Sequence, residues 1–305
     1  MFYFVEIGDL LKLRITNFLK KIFSLVFWRG VLDTIQAKLK RGVPDIIQVT
    51  PGKFSGHFKY LTRSGKDLIA TALWSHGWAG FEKPLPDIFA ETVASFQNGL
   101  VLDVGANTGL YSLIATTVNR NLEAHAFEPF PPVEMILRAN VDLNPDNHVK
   151  VFPQAVSDQM GTAKLYVPLQ DHGVVETSCS LNSEFKEAHS EVLNVEQTTL
   201  DEHMKQYPGK KIVMIKIDVE GFEDHVLNGS RVTISTHRPI IVFEVLPNID
   251  ANKLEAIRRQ FRYDSYRFRD DRLVPDDVIG YDPDSWNHIM FPSEVGVPAE
   301  LKDFI

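Results

Sequence analysis

The stretch LVLDVGANTGLYSLIA, residues 100–115, decides the fold of this chain. It begins as a continuously apolar run, as in a buried strand, and a turn containing Gly105 and Gly109 follows. Beyond the turn, the apolar residues have the spacing of a helix. A strand that passes through a glycine turn into a helix is typical of an α/β sheet that holds a ligand at the turn.

The segments after this stretch alternate between strands and helices. Five predicted strands are apolar without polar alternation: GLVLDVG, LEAHAFEP, HVKVFPQAVSD, KIVMIKIDVEG and RPIIVFEVLP. Strands of this kind indicate a parallel sheet with helices on both faces, and therefore an α/β fold. Extra β segments are predicted at TAKLYVPL and VLNVEQTTL, and a late pair of strands at YDSYRF and WNHIMFP.

A carboxylate lies at or near the end of each of these five strands. The acids are Asp103, Glu128, Asp158, Asp218 with Glu220, and Glu244. Helix capping or a solvated loop explains any single one of them, but explains the whole set poorly. Parallel sheets bind ligands at the carboxyl ends of their strands, so we expect the functional site at this rim.

The glycine turn distinguishes between two classes of cofactor. A dinucleotide fingerprint needs G-x-G-x-x-G, whereas this turn is G-x-x-x-G with Asn107 inside it. Asp103, just before the turn, would repel a pyrophosphate but attract a cation. S-adenosylmethionine has no phosphate and carries an ammonium, a sulfonium and a carboxylate. The N–H groups of the turn suit that carboxylate, and Asp103 suits the ammonium, directly or through water.

Two later acids extend the predicted cofactor site. Glu128 follows Gly105 by 23 positions, a spacing at which an acid accepts hydrogen bonds from a ribose diol. Both cofactor classes have that diol, so Glu128 does not separate them. Asp158 lies where an adenine amino group could be bound, and a turn before Gly161 explains it about equally well.

Six motifs in order carry a resemblance to a known family. They are LDVGANTGLYSLIA, AFEPFP, AVSD, TTLDEH, IKIDVEGFEDHVLNG and PIIVFEV. Over roughly residues 80–248 they resemble the FkbM-type family of S-adenosylmethionine-dependent methyltransferases. The resemblance implies a Rossmann-like, seven-stranded class I methyltransferase sheet with helices on both faces. It also implies S-adenosylmethionine as the cofactor and, in most characterised members, O-methylation of a hydroxyl.

The turn and the resemblance together give a set of predicted cofactor-binding residues. They are Asp103, Gly105, Ala106, Asn107, Gly109, Glu128, Pro129 and Asp158.

Methyl transfer to a hydroxyl needs alignment and a group that takes the proton. The predicted catalytic residues lie in KIDVEG and at the end of the next strand: Lys216, Asp218, Glu220 and Glu244. Lys216 and Asp218 are two positions apart on a strand, so their side chains face the same way and are expected to form an ion pair. Asp218 is a candidate base, substrate-positioning residue or partner of the cofactor's amine, and Glu220 is expected to start the next helix. A structural ion pair is the favoured interpretation of Lys216.

The sequence gives little support to a metal site. No H-x-x-x-H or similar ligand spacing occurs, so we predict no built-in metal, although Asp218, Glu220 and Glu244 could gather a divalent cation. The segment from Asp171 to His189 is long and irregular, which is often the property of an active-site cover.

The overall composition and charge limit the kinds of partner that we expect for this protein. The 305 residues are 44% hydrophobic and carry a net charge of −8, which argues against a dedicated nucleic-acid binder. The expected partner is a small-molecule or carbohydrate acceptor. Cys179 is the single cysteine, which excludes an intrachain disulfide and fits a cytoplasmic location.

The chain divides into four predicted segments. Residues 1–42 are a basic amphipathic helical extension, 43–98 a lead-in that can cover substrate, 99–295 the methyltransferase domain and 296–305 a tail. A basic amphipathic helix can lie on an anionic membrane, which would make the protein membrane-associated. Packing of this helix on its own domain or on a partner subunit is the favoured alternative. The sequence does not determine the oligomeric state.

Two other functions remain open from the sequence. One is an NAD-dependent oxidoreductase, which the missing middle glycine and Asp103 disfavour. The other is a noncatalytic module that binds S-adenosylmethionine.

Overall fold

A computed structural model describes residues 42–168, 178–185, 189–247 and 249–305. The predicted helical extension therefore lies outside the described residues except for Gly42. Most of the predicted cover between Asp171 and His189 is outside them as well.

Thirteen strands occur in the described residues. They are β1 (Ile46–Val49), β2 (Phe58–Leu61), β3 (Gly99–Val104), β4 (Leu122–Phe127), β5 (Val149–Phe152), β6 (Ala155–Val156), β7 (Gly161–Pro168), β8 (His189–Thr198), β9 (Ile212–Ile217), β10 (Ile240–Glu244), β11 (Tyr263–Arg269), β12 (Arg272–Asp276) and β13 (Asn287–Pro292).

Eight α-helices connect or cover these strands within the same residues. They are α1 (Leu68–His76), α2 (Leu85–Ala94), α3 (Leu110–Val118), α4 (Pro131–Asp142), α5 (Leu200–Lys205), α6 (Glu223–Asn228), α7 (Arg231–His237) and α8 (Ala251–Phe261). Short 3₁₀ turns lie at Arg63–Gly65, Trp78–Gly80 and Ala299–Phe304.

The main sheet has the order β12-β11-β13-β10-β9-β3-β4-β5. Strands β10, β9, β3, β4 and β5 pair in parallel, and β13 runs antiparallel to both β10 and β11. This is the predicted seven-stranded methyltransferase sheet, with β12 added at the edge. The predicted late pair of strands is confirmed as β11 and β13.

Helices cover both faces of this sheet, as its apolar strands predict. Val101 of β3 belongs to a core that includes residues of α2 and α3. Its neighbours Leu100 and Leu102 belong to a second core that includes residues of α5 to α8. Alternate residues of a strand point to opposite faces, so burial of both sets explains why β3 is a continuous apolar run.

The predicted third strand was wrong in one respect. The segment HVKVFPQAVSD forms two strands that belong to different sheets: β5 pairs with β4, whereas β6 pairs with β8. Pro153 lies between them, and a proline removes the N–H that would continue the ladder. The predicted extra β segments are confirmed as β7 and β8, which pair antiparallel and form a small sheet with β6.

The lead-in and the C-terminal tail both pack on the main domain. A hairpin of β1 and β2 precedes α1 and α2, and α2 contributes Ile88 and Phe89 to the same core as α3. In the tail, Leu301 is fully buried in that core. Among the described residues, no helix is both long enough and apolar enough to cross a bilayer.

Candidate active site

A cavity of about 360 Å³ opens at the carboxyl ends of the parallel strands. Its walls include the residues that follow β3, β4 and β9, together with Glu244 at the end of β10. Its volume is typical of small-molecule sites. The cavity therefore lies at the rim where the sequence places a ligand.

The glycine turn forms one wall. Gly105 has a φ of +75°, and the N–H groups of Gly105 and Ala106 donate to the carbonyl of Phe127 at 3.0 and 2.9 Å. A Cβ atom on Gly105 would lie 1.8 Å from the carbonyl oxygen of Asp218. A side chain is thus excluded because the ends of β3 and β9 touch here. Ala106, Asn107 and Gly105 all line the cavity.

Glu128 is buried beside this turn, in the wall that follows β4. Its Oε2 accepts a hydrogen bond from the N–H of Asn107 at 3.0 Å, and its Oε1 accepts one from Phe130 at 2.9 Å. Burial raises the pKa of Glu128 to about 8. Each carboxylate oxygen has a second lone pair, so a ribose diol can donate to Glu128 without breaking these bonds. Glu128 and its neighbour Pro129 both line the cavity and fit the predicted cofactor.

Three predicted cofactor residues do not line the cavity. Asp103 is fully buried within β3, and its Oδ2 accepts hydrogen bonds from the N–H and hydroxyl of Ser112 at 2.9 and 2.7 Å. Gly109 has a φ of +94°, and a Cβ there would lie 2.4 Å from Leu137. Asp103 therefore links β3 to α3. The absence of a side chain at Gly109 allows α4 to pack closely against the turn.

Asp158 is the third of these residues. Its carboxylate is 3.0 Å from Nδ1 of His225 and 3.4 Å from the amide nitrogen of Asn228. The side chain thus joins the end of β6 to α6 and lies off the cavity wall. The structure does not bring Asp158, Asp103 or Gly109 to the cavity, so direct contact of these three with the cofactor remains only a prediction.

The predicted ion pair of Lys216 and Asp218 is present. Nζ of Lys216 lies 2.9 Å from Oδ2 of Asp218 and 4.6 Å from the centre of the Tyr111 ring. Burial opposes the charge of Lys216, but Asp218 and Asp103 together raise its pKa above the ordinary value. An ammonium is therefore held in a nearly dry place, while the Asp218 side chain stays 34% exposed toward the cavity.

Glu244 and Glu220 lie at the same end of the cavity. Burial raises the pKa of Glu244 well above its usual range, and the charges of Asp218 and Glu220 add to the shift. The expectation that Glu220 starts a helix was wrong, because α6 begins at Glu223. Glu220 and Gly221 have φ values of 57° and 93°, which are left-handed conformations that a helix cannot contain.

Sequence analysis missed a group of cavity residues from the lead-in. Leu68, Ile69 and Ala72 of α1 form an apolar wall, and Glu82 lies nearby. The hydroxyl of Tyr111 donates to Oε2 of Glu82 at 3.0 Å. Residues 43–98 were predicted to cover substrate, but no motif singled out these particular side chains.

The described residues contain no group of three or more His, Cys, Asp or Glu side chains arranged to hold a metal ion. The three acids Asp218, Glu220 and Glu244 share the cavity without forming such a group.

Comparison with known proteins identifies the family. Residues 103–268, more than half of the chain, match the methyltransferase FkbM domain. The chain belongs to the FkbM methyltransferase family. It is therefore an S-adenosylmethionine-dependent methyltransferase, and the choice between the two cofactor classes falls on S-adenosylmethionine. The matched residues include the end of β3 and the whole rim from Gly105 to Glu244, but not Glu82.

Solved structures give only distant similarities to this FkbM methyltransferase. A methyltransferase FkbM from Methylobacillus flagellatus has 13% identity and a TM-score of 0.42; the match covers 85% of this chain and 58% of that one. A SAM-dependent methyltransferase from Agrobacterium tumefaciens has 8% identity and a TM-score of 0.43, with 82% and 71% covered. TYW2 of M. jannaschii, in complex with AdoMet, has 13% identity and a TM-score of 0.37, with 82% and 85% covered.

These similarities are too low to carry an argument about the acceptor, and the family assignment rests on the sequence match. The present chain spans little more than half the length of the Methylobacillus protein. A search of curated proteins found no significant match.

Proposed function

We propose that this FkbM methyltransferase transfers a methyl group to a hydroxyl of a sugar, glycan or small-molecule natural product. The observation that carries the proposal is the grouping of Asp218, Lys216 and Glu244 at one end of the cavity whose other end holds Glu128. A hydroxyl is a poor nucleophile while protonated, and carboxylates at the acceptor end supply proton acceptors.

The cofactor, when bound, supplies a methyl group on a positively charged sulfur. Glu128 would hold its ribose. The N–H groups of Gly105, Ala106 and Asn107 already donate to Phe127 and Glu128, so the predicted binding of the cofactor's carboxylate by the turn would require these bonds to be shared. The carboxylates at the opposite end of the cavity would attract the positively charged sulfur. Lys216 keeps Asp218 in place through their ion pair, so the acceptor end is organised before any ligand arrives.

The charge distribution supports a neutral or cationic acceptor rather than a nucleic acid. The chain carries a net charge of −8, and Glu82, Asp218, Glu220 and Glu244 line the acceptor end against Lys216. Phosphate groups would be repelled there. A cytoplasmic location, which the single Cys179 supports, is also part of the proposal. For residues 1–42, packing on protein is favoured, and peripheral membrane contact is the alternative.

A labelled-methyl assay tests the function. The protein is incubated with methyl-tritiated S-adenosylmethionine and the small-molecule fraction of a cell extract, and the labelled product is isolated and identified. Label attached through an ether oxygen is expected. Label found on nitrogen, carbon or sulfur would contradict the proposal.

A noncatalytic module is the second candidate, and Asp218→Asn separates it from an enzyme. For an enzyme, this variant is expected to bind cofactor but to incorporate label at least about 100-fold more slowly, in keeping with the loss of a group near the reacting atoms. A module would bind S-adenosylmethionine in calorimetry, transfer no label as wild type, and show only a change in stability in the variant.

A further inference from the structure

Glu82 lies outside the matched FkbM domain, yet its carboxylate reaches the acceptor end of the cavity. It comes between the 3₁₀ turn at Trp78–Gly80 and α2, and it has a φ of 41°. A glutamate in this left-handed region is uncommon. Such strain is found at functional sites more often than elsewhere. From this position the carboxylate of Glu82 contacts the hydroxyl of Tyr111.

The partner of Glu82 is a neutral donor. The buried hydroxyl of Tyr111 donates to Oε2 of Glu82 at 3.0 Å. Burial, followed by the charge of Glu82, raises the pKa of Tyr111 well above its usual value, so the phenol keeps its proton. Tyr111 is itself fixed by Lys216, whose ammonium lies over its ring. Glu82 is thus positioned by a group that neither neutralises its charge nor competes for its proton.

Two of the other acids at this end, Asp218 and Glu244, are less suited to accept a proton. Asp218 already holds the ammonium of Lys216 at 2.9 Å. Glu244 is strongly shifted toward its protonated form by burial and by Asp218. Glu82, in contrast, lines the cavity and keeps exposed surface. It can therefore pass a proton on to solvent after each turnover.

The surroundings of Glu82 raise its basicity. Desolvation by the neighbouring cavity residues raises the pKa of Glu82, and the charge of Asp218 adds to this, whereas Lys216 and the Tyr111 hydrogen bond oppose it. A carboxylate with a raised pKa accepts a proton from a hydroxyl more readily than an ordinary surface acid.

We infer that Glu82 is the general base that takes the acceptor's hydroxyl proton, with Tyr111 as its positioning residue. This inference rests on the proposed function. As the C–O bond to the acceptor forms, the C–S bond of the cofactor breaks and its electron pair stays on sulfur. The hydroxyl proton moves to a carboxylate oxygen of Glu82 and leaves from there to solvent. One charge is cancelled at sulfur and one proton is released for each methyl transferred.

The first test compares Glu82→Gln with Glu91→Gln, a matched change on α2. Glu91 pairs with Lys53 at 2.7 Å and does not line the cavity. Tritiated-methyl incorporation into the extract fraction is expected to fall about 10²–10⁴-fold in Glu82→Gln and to stay within twofold of wild type in Glu91→Gln. Affinity for S-adenosylmethionine, measured by calorimetry, and the melting temperature should be unchanged in both variants.

The second test uses Tyr111→Phe, which keeps the ring beneath Lys216 but removes the hydrogen bond. That bond lowers the pKa of Glu82. The acid limb of the pH–rate profile should therefore move to higher pH in Tyr111→Phe and disappear in Glu82→Gln. In protein labelled with ¹³C at glutamate carboxyls, the Glu82 resonance, assigned by its absence in Glu82→Gln, should titrate at higher pH in Tyr111→Phe without any cofactor or acceptor present.

The outcomes separate the two proposals. Full transfer by both wild type and Glu82→Gln would overturn the role of Glu82 and leave the proposed function intact. Cofactor binding without transfer by wild type would overturn both. A parallel loss of cofactor affinity or stability in Glu82→Gln would make Glu82 a structural residue, and an unmoved Glu82 resonance in Tyr111→Phe would remove Tyr111 from its assigned role.

Discussion

The two ends of the cavity are built in different ways. The donor end is formed by consecutive residues that follow β3 and β4, where Asn107 donates its backbone N–H to the buried Glu128. The acceptor end combines Glu82 of the lead-in, Tyr111 of α3, Lys216 of β9 and Glu244 of β10. The geometry of the backbone just after each strand thus positions the residues of the donor end. Packing between segments far apart in the sequence positions the residues of the acceptor end.

This difference separates what the family has in common from what is particular to this chain. A turn that uses backbone groups binds the same cofactor whatever acceptor is used. Side chains contributed by a segment before the matched domain can vary with the acceptor. We therefore expect substitutions at the two ends to affect cofactor affinity and acceptor turnover separately.

The largest effect is expected at Gly105, where the two ends meet. Gly105→Ala would bring a methyl group to 1.8 Å from the carbonyl oxygen of Asp218 at a φ of +75°. The left-handed conformation alone costs about 1–2 kcal/mol, and the clash requires β3 and β9 to separate. We expect the free energy of unfolding in urea to fall by more than about 3 kcal/mol, larger than for most single substitutions.

Gly209→Ala is the matched control for Gly105→Ala. Gly209 has a φ of +85°, but no atom lies within 4 Å of a Cβ built there. This variant should lose only the conformational term, about 1–2 kcal/mol. Equal losses in the two variants would mean that the contact between the ends of β3 and β9 is not tight, and that the two ends of the cavity are less connected than the structure indicates.

The donor end was largely predictable because its information is local. The order of strand, G-x-x-x-G turn and helix placed Gly105, Ala106 and Asn107 at the cavity, and the spacing to Glu128 placed a second wall. The prediction for Asp103 depended on its position near a strand end. It could not anticipate that Ser112 would bind one oxygen of this carboxylate and hold it inside the fold.

The acceptor end was only half predictable. Lys216 and Asp218 follow from strand periodicity, which puts alternate residues on one side. The position of Glu82 depends on a left-handed backbone and on the packing of α2 against α3, neither of which has a local sequence pattern.

Helix α5 was missed although its signal was present in the sequence. Thr199 and Glu202 form a capping-box sequence, and the Thr199 hydroxyl accepts a hydrogen bond from the Glu202 N–H at 3.0 Å.

The next largest effect concerns Glu128 and pH. Because its pKa is about 8 in the free protein, Glu128 is mostly neutral at pH 7. Hydrogen bonds from a ribose diol favour the charged form, so binding releases a proton and affinity increases as pH rises. Adenosine is the suitable probe, since it has the diol but lacks the α-amino group, whose own pKa is close to 8. Its Kd should decrease by up to about tenfold per pH unit between pH 6 and 8 and level off above that range.

Glu128→Gln provides the control for this titration. A glutamine does not ionise, so the affinity for adenosine should be independent of pH over the same range. Above pH 8 it should be about 10- to 100-fold weaker than wild type, which corresponds to the loss of hydrogen bonds to a charged group. Calorimetry in two buffers of different ionisation enthalpy measures the proton release directly. Uptake of a proton by wild type, or none at all, would show that the donor end does not use an ionised Glu128.

The smallest effect is expected for Asp158, the acid at the donor end that lies off the cavity wall. Its carboxylate is 3.0 Å from Nδ1 of His225, and the His225 ring stacks on Phe222 with 4.0 Å between ring centres. Phe222 lines the cavity, so the rings of His225 and Phe222 lie between Asp158 and the cavity. Asp158→Asn keeps a hydrogen-bonding oxygen beside His225, and we expect its affinity for adenosine to stay within about threefold of wild type. This limit is less than 1 kcal/mol, below the cost of losing a direct charged hydrogen bond.

A loss of affinity of tenfold or more would show that Asp158 contacts the adenine itself. Such a contact would require a movement of α6 that brings this carboxylate to the cavity.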